Sequence, residues 1–261
     1  MCAGMAKAGI KPFFAVYSTF SQRALDQVFQ EVALGGVPVR VCMDRAGYVG
    51  GDGAVHHGFM DITMFRVFPK AVLLAASDEP NLRAALEFMR TYDQGASFVR
   101  YPRDNVVADP VQEKVPPYVP GQANLLRPAK GAKPDLAIFA YGAEVYEALK
   151  AMDELEPQGY DVAVYDARFA KPVDINLLEQ LIKAGVLILT VEDHALAGGF
   201  GSCVLEACND GSLQTDRIHR LGMPEKWVCQ DSRANQLALV GLDAAGIARK
   251  VRRIVDSRGS E

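Results

Sequence analysis

Lysines and arginines form no extended run in this sequence, and 28 basic against 32 acidic residues leave a formal net charge of −4. A nucleic-acid or anionic-membrane surface is therefore not indicated. The Arg252-Arg253 pair lies on a C-terminal helical stretch and reads as a solvated face. Long apolar runs are missing too: residues 71–76 and 186–191 are strand-sized, well short of a membrane span. Residues 1–12 lack the continuous apolar region of a signal peptide and read as the tail of a helix. The five cysteines, Cys2, Cys42, Cys203, Cys208 and Cys229, form no CxxC pair, and none stands at metal-ligand spacing from a histidine. Reduced thiols in a cytoplasmic setting are expected.

With 49% apolar and 23% charged residues in 261, the chain has material for one large core or two ordinary ones. Residues 13–17 read as a buried strand, and from Phe20 the residues Ala24, Leu25, Val28 and Val32 recur at helical spacing until Gly35-Gly36. A strand at 38–43 feeds a long loop. A short helix opens at Asp61, a strand covers 71–76, and a helix starts in Ser77-Asp78-Glu79-Pro80, where serine or aspartate caps and proline suits the first turn. A strand at 96–100 completes the set. Strands that are apolar throughout and alternate with helices imply a mainly parallel sheet covered on both faces. Between 109 and 133, Pro110, Pro116, Pro117, Pro120 and Pro128, with Pro134 flanking, mark a linker. The pattern then restarts. Strands at 136–140, 161–165, 186–192 and 217–221 alternate with helices at 144–155, 174–184 and 201–209, and a last helix runs from Asp243. The expected fold is α/β, with two consecutive α/β domains at 1–108 and 134–261 and mainly parallel sheets.

The first domain carries an unusual connection at 44–58, DRAGYVGGDGAVHHG, where ordinary connections have about 4 to 6 residues. Glycines at 47, 50, 51, 53 and 58 let the backbone fold tightly around a small ligand. Arg45 offers a planar fork suited to phosphate or carboxylate, and His56, four residues after Asp52, can move a proton near neutral pH. An aspartate bonded to a histidine fixes its tautomer, which is the role this spacing suggests for Asp52. Arg103 follows the strand at 96–100, at a carboxyl end where open α/β sheets bind ligands; two readings stand for it, a second group beside Arg45 on one anion and, more commonly for an arginine after a strand, an exposed surface residue. Tyr17 and Phe20 lie where the first strand turns into helix, with Arg23 one turn on.

The segments YSTFSQRALDQ, DRAGYVGGDGAVHHG, SDE and VRYPRDN, in this order and spacing, resemble the 1-deoxy-D-xylulose-5-phosphate synthases, thiamine-diphosphate enzymes related to transketolase. DARFAKPVD at 166–174 and VEDHALAGGFGS at 191–202 agree with that family. The resemblance spans essentially the whole chain but covers only the family's pyrimidine-binding and C-terminal domains. It implies that Phe20 stacks on the cofactor's aminopyrimidine ring with Arg23 beside it. Tyr17, Arg45 and Arg103 would hold the phosphate of glyceraldehyde 3-phosphate. Asp52 and His56 would face its hydroxyl and carbonyl, with His56 the better proton shuttle. His57 receives no catalytic role, and no metal ligand is assigned. The implied reaction condenses pyruvate with glyceraldehyde 3-phosphate, with loss of carbon dioxide, toward isoprenoid precursors, thiamine and pyridoxal. Thiamine diphosphate would be held here by its pyrimidine side only. The ligands for Mg2+ and diphosphate, and the glutamate that protonates the aminopyrimidine, are expected on an N-terminal domain outside this sequence. The resemblance thus implies a chain inactive alone, a missing N-terminal half or separate subunit as partner, and a homodimer.

Two other readings stay open: a non-catalytic dimerisation or interaction module, and the β-type subunit of a 2-oxoacid dehydrogenase, against which the DRAG run at 44–47 argues. The glycines at 198, 199 and 201 lack the third glycine of a dinucleotide fingerprint, and no βαβ unit opens there, so they read as a turn into a helix. His194 is expected to be structural or at a domain interface. Glu192 and Asp193 are expected to cap or to contact the neighbouring domain.

Overall fold

The computed structural model describes residues 1–258. The first half of the chain supplies strands β1 (Phe13–Tyr17), β2 (Arg40–Asp44), β3 (Val72–Ala75) and β4 (Ser97–Arg100). The second half supplies β5 (Asn124–Arg127), β6 (Leu136–Tyr141), β7 (Val162–Asp166), β8 (Phe169–Lys171), β9 (Leu187–Ala195) and β10 (Ile218–Met223). They form two five-stranded sheets, ordered β1-β2-β4-β3-β8 and β10-β9-β6-β7-β5. Each sheet is parallel except for one edge strand, β8 against β3 and β5 against β7. The α/β architecture with mainly parallel sheets follows from strands buried on both faces, such as Val72–Ala75 and Leu136–Tyr141, where every residue is buried; Phe13–Tyr17, expected as a buried strand, is instead an edge strand with Phe13 and Phe14 exposed.

The two edge strands change the expected division of the chain. Asn124–Arg127, inside the segment expected as a linker, pairs with β7 and extends the second sheet. Three residues of the second half, Phe169–Lys171, cross to the first sheet, where Leu74 pairs with Phe169 and Leu73 with Lys171. Lys171 Nζ then donates to the carbonyls of Arg66 and Phe68, both at 2.6 Å. The halves are stitched together rather than strung on a tether. Their apolar core is continuous as well: Ile62, Phe65 and Phe98 of the first half belong to the same buried cluster as Tyr141, Ala170 and Phe200 of the second.

The helix expected from Phe20 onward is not one helix. A four-residue α-turn, Ser18–Ser21, gives way to a 3-10 turn at Gln22–Ala24, one α-turn at Leu25–Gln27 and a π-helical stretch at Val28–Ala33. Ser21 Oγ donates to the Ser18 carbonyl at 2.6 Å and Gln22 Nε2 to Thr19 Oγ1 at 3.0 Å, local bonds that compete with the regular ladder. Val28 and Val32 still face the core, so the apolar spacing was informative even though the helix is irregular. The helix Glu79–Thr91 starts as its sequence suggests, with Asp78 accepting from the Asn81 N–H at 2.8 Å and Pro80 in the first turn. Among the described residues, no helix is long and apolar enough to cross a membrane.

Candidate active site

Strand register puts the site together. Tyr17 of β1 lies opposite Asp44 of β2, and Met43 opposite Arg100 of β4, so the carboxyl ends of three adjacent strands form one row. The chain leaves that row as Ser18–Phe20, as Arg45 and as Tyr101–Arg103. The Ala46 N–H donates to the Tyr101 carbonyl at 3.0 Å, tying two of the exits together. Past Arg45 the loop is closed at its neck by a reciprocal pair, Gly47 N–H to Gly58 O at 2.8 Å and Gly58 N–H to Gly47 O at 2.9 Å. Between them lie two 3-10 turns, Gly50–Asp52 and Ala54–His56. Gly47 is required here, since it adopts φ +77 and an added Cβ would stand 2.0 Å from Asp193 Oδ2. Arg45 itself adopts φ +58, a left-handed conformation that a bulky residue holds only when its surroundings enforce it.

The sequence-expected side chains meet at this mouth. Arg45 Cζ lies 3.8 Å from the Tyr17 ring centroid, the Tyr17 and Phe20 rings stack at 5.1 Å, and the His56 ring meets Phe20 edge-on at 5.5 Å. Arg23 Cζ is 5.0 Å from the Phe20 centroid. Thr19 Oγ1 donates to the Val55 carbonyl at 3.3 Å, which docks the His56 turn on the β1 exit. Arg45 Nε and Arg103 Nε converge on one carboxylate oxygen, Asp52 Oδ2, at 3.5 and 3.6 Å. Arg45 Nη1 also bonds Asp44, and Arg103 Nη1 donates to the Val49 carbonyl at 3.3 Å. Arg45 Nε is buried yet makes no hydrogen bond, a donor poorly satisfied by the Asp52 contact alone.

One expectation is corrected. The Asp52 carboxylate does not orient His56, because it is engaged by the two arginines. The Asp52 backbone carbonyl does so instead, lying 3.1 Å from His56 Nδ1. A carbonyl can only accept, so Nδ1 carries the proton in the neutral ring and the Nε2 lone pair is left free. The adjacent histidine differs. His57 is buried, its Nε2 donates to the Val228 carbonyl at 3.1 Å, and its Nδ1 accepts the Val49 N–H at 3.4 Å. Burial lowers its pKa, and with both nitrogens in use it serves as a neutral brace.

Behind the loop lies a polar layer whose His194, Asp193 and Glu192 were expected at an interface or a helix start, and whose arginines sequence reasoning did not find. Arg100, buried under the loop, donates to Asp61 at 2.9 Å, to Asp193 Oδ1 at 2.7 Å, and to the Gly58 and Asp193 carbonyls at 3.2 Å. Burial alone would lower its pKa, but Asp61 and Asp193 more than reverse that and hold it charged. Arg233 joins from the second half, reaching Asp193 at 3.2 Å and Asp104 and Glu144 at 3.3 Å. Burial, followed by the Asp193 charge, pushes the Glu144 carboxyl up to about 8. His194 sits against Asp61 at 3.4 Å and accepts the Ile62 N–H at 3.2 Å, which makes it an interface residue. Glu192 accepts from the Phe200 and Gly201 N–H groups at 2.5 and 2.8 Å, capping the helix Phe200–Asp210 as a turn-and-helix reading requires. The helix Arg233–Val240, also missed, backs the loop through Gln236, which is paired with the Gly50 backbone. Its sequence, RANQLALV, carries only a short apolar pattern and no outward sign of a partner.

The aromatic here for a cofactor ring is Phe20, partly exposed, with Tyr17 stacked on it and Arg23 over its ring. Among the described residues, no group of three or more His, Cys, Asp or Glu side chains is placed to hold a metal ion.

Comparison with known proteins gives a consistent picture. The family "Transketolase, pyrimidine binding domain" matches residues 1–108, and "Transketolase, C-terminal domain" matches 121–247. A 1-deoxy-D-xylulose-5-phosphate synthase of Synechococcus sp. (strain JA-2-3B'a(2-13)) is 41% identical over 253 residues, covering 97% of this chain and 38% of the relative. The synthase of Gloeobacter violaceus is 41% identical over 97% of this chain and 39% of its own length, and synthase 2 of Geobacter sulfurreducens 38% identical over 96% and 39%. The chain thus spans 38–39% of the length of these curated relatives. Among solved structures, one described as a split-gene transketolase, inactive β4 tetramer, superposes with a TM-score of 0.83 at 24% identity, over 98% of this chain and 79% of that one. A transketolase mutant from Pichia stipitis gives a TM-score of 0.77 at 19% identity, over 99% of this chain and 36% of that one.

Proposed function

The chain belongs to the transketolase family, as its pyrimidine-binding and C-terminal domains, and from that premise we propose that it is the acceptor- and pyrimidine-binding part of a 1-deoxy-D-xylulose-5-phosphate synthase. The observation that carries this reading is the convergence of Arg45 and Arg103 on Asp52 Oδ2, beside His56 and Phe20. Two guanidinium groups held on one carboxylate are spaced for one small anion, and the phosphate of glyceraldehyde 3-phosphate is such an anion. Tyr17 acts as a platform for Arg45.

Thiamine diphosphate, when bound, supplies the activated carbon that takes up pyruvate with loss of carbon dioxide. Phe20 would hold its pyrimidine ring by stacking, with Arg23 alongside. The protein's own tasks are to seat the acceptor and to move a proton on its carbonyl oxygen. His56 suits the second, since Nδ1 is committed to the Asp52 carbonyl and Nε2 is the nitrogen left to exchange a proton. Asp52 holds both arginines and offers its remaining acceptor capacity to the acceptor's hydroxyl. Pyruvate and glyceraldehyde 3-phosphate are thus the proposed substrates. The remaining part of the synthase, carrying the Mg2+ and diphosphate ligands, is the proposed partner, and a homodimer the proposed assembly. Residues 1–108 act as the acceptor and pyrimidine domain; the C-terminal domain begins inside the segment expected as a linker, since Asn124–Arg127 already belongs to the second sheet.

The test is complementation. The chain, combined with the portion that its curated relatives carry in addition, is assayed for carbon dioxide release dependent on glyceraldehyde 3-phosphate. His56→Ala should lower turnover by about two orders of magnitude or more, as for loss of a general acid or base. Turnover unchanged by this substitution contradicts the role of His56.

A further inference from the structure

The Val49–Gly50 peptide is gripped from both sides. Its N–H donates to Gln236 Oε1 at 2.9 Å, and its carbonyl oxygen accepts from Arg103 Nη1 at 3.3 Å. Gln236 Nε2 returns a bond to the Gly50 carbonyl at 3.2 Å and a second to the Cys229 carbonyl at 2.9 Å. The glutamine is only 1% exposed, and both ends of its amide are in use. Gly50 adopts φ +68, in a region where glycine rotates with little steric resistance, so the side-chain amide supplies the restraint that the residue itself lacks. Position 50 also lies close against the helix start, since an added Cβ would be 3.4 Å from both the Arg233 nitrogen and the Asp231 carbonyl oxygen.

The restraint leads into the site by two routes. The Gly50 carbonyl also accepts the Gly53 N–H at 3.2 Å, and the Gly53 carbonyl accepts the His56 N–H at 3.0 Å. On the other side, Arg103 is 48% exposed and is held by the Val49 carbonyl and the 3.6 Å contact with Asp52. A long side chain with so few holds samples many rotamers unless its anchor is fixed. A leucine at 236 would fill similar volume but leave the buried Gly50 N–H without its acceptor, so what the amide adds beyond bulk is a directed bond.

We propose that Gln236, on the C-terminal domain, is a positioning residue: it fixes the plane of the Val49–Gly50 peptide so that the Val49 carbonyl anchors Arg103 beside Asp52. The proposal rests on the reading of Arg45 and Arg103 as a phosphate clamp. It makes the C-terminal domain a determinant of acceptor affinity, through an orientation rather than through a ligand contact.

Inorganic phosphate, titrated calorimetrically into the intact chain in four forms, tests it: unaltered, Gln236→Leu, Arg103→Ala, and both together. Gln236→Leu should weaken binding about three- to tenfold, the scale of one hydrogen bond's net worth. Added to Arg103→Ala, it should weaken binding less than about twofold further, because the two act on one element. A Gln236 that matters only for folding would cost the same factor in both backgrounds, and that result overturns the proposal. Unchanged affinity in Gln236→Leu, alongside a weakened Arg103→Ala, overturns the proposal and leaves the phosphate reading standing. No effect of Arg103→Ala, or no binding by the unaltered chain, overturns both. Where Gln236→Leu folds poorly, amide exchange in the unaltered chain decides: protection of the Gly50 N–H comparable to β2 supports the clamp, and exchange at the rate of a free amide overturns it.

Discussion

Acidification reaches the layer beneath the site through His194, and the effect can be sized. The imidazole is 0% exposed, its Nε2 accepts the Ile62 N–H at 3.2 Å, and its Nδ1 lies 2.9 Å from the Ala195 carbonyl, which fixes a neutral ring. Burial pushes its pKa down, the Asp61 carboxylate pulls it back, and Arg100 pushes it down again, leaving it at about 4 against an ordinary 6.5. Asp193 and Glu192 also face it, the latter with Oε2 at 4.0 Å from Nδ1. The unfolded chain takes up the proton near pH 6.5 and the folded chain only near pH 4, so the stability this group confers is complete above 6.5 and is lost as pH falls through that window. The gap corresponds to about 3 kcal/mol. His194→Asn keeps a possible acceptor for the Ile62 N–H but cannot titrate. Urea unfolding of both forms from pH 7.5 to pH 4 should show the variant less stable at the upper end. The difference should then shrink by about 3 kcal/mol at the lower end. Buried carboxyls that His194 does not face, such as Glu144, contribute to both proteins alike and drop out of the comparison. Stability curves that stay parallel across the range would refute the reasoning.

Other substitutions probe the same architecture. Arg100→Met removes the counter-charge of Asp61 and one of two for Asp193, and should cost about 3–5 kcal/mol in chemical denaturation; a loss below about 1 kcal/mol would show that the network is not what holds the loop to the second sheet. Gly47→Ala meets Asp193 Oδ2 at 2.0 Å and a φ of +77, whereas a Cβ at Gly51 meets nothing within 4 Å. The first substitution should cost about 3 kcal/mol or more, and Gly51→Ala should stay within about 0.5 kcal/mol, both read from urea midpoints. Equal effects would contradict the packing of the loop neck.

Much of this molecule was legible in its sequence because the signals were local. Continuous apolar runs such as Leu136–Tyr141 marked covered strands, though the equally apolar Phe13–Tyr17 lies at a sheet edge with Phe13 and Phe14 exposed, and Asp78 with Pro80 announced a helix start. The mouth of the site was legible too, since Tyr17, Phe20, Arg45, Asp52 and His56 lie within a short stretch of chain that parallel pairing folds onto itself. What escaped were relations between distant segments. β8 is three residues long, and nothing in Phe169–Lys171 says that its hydrogen bonds go to the other sheet. The bond that orients His56 was misassigned to the Asp52 carboxylate because spacing cannot tell a carboxylate from the backbone carbonyl behind it. Arg100, Arg233 and Gln236 were invisible for a related reason: a buried polar group is recognisable only once its partners, here 93 and 186 residues away for two of the three, are in place.

The central claim is that the guanidinium groups of Arg45 and Arg103 serve one anion. Glyceraldehyde 3-phosphate titrated into the chain, with the arginine side-chain Nε–Hε resonances followed by NMR, tests it directly. The account predicts that the signals of Arg45 and Arg103 move together, saturating with a single dissociation constant at one ligand per chain. Movement of only one of them, or saturation at two different concentrations, would contradict it.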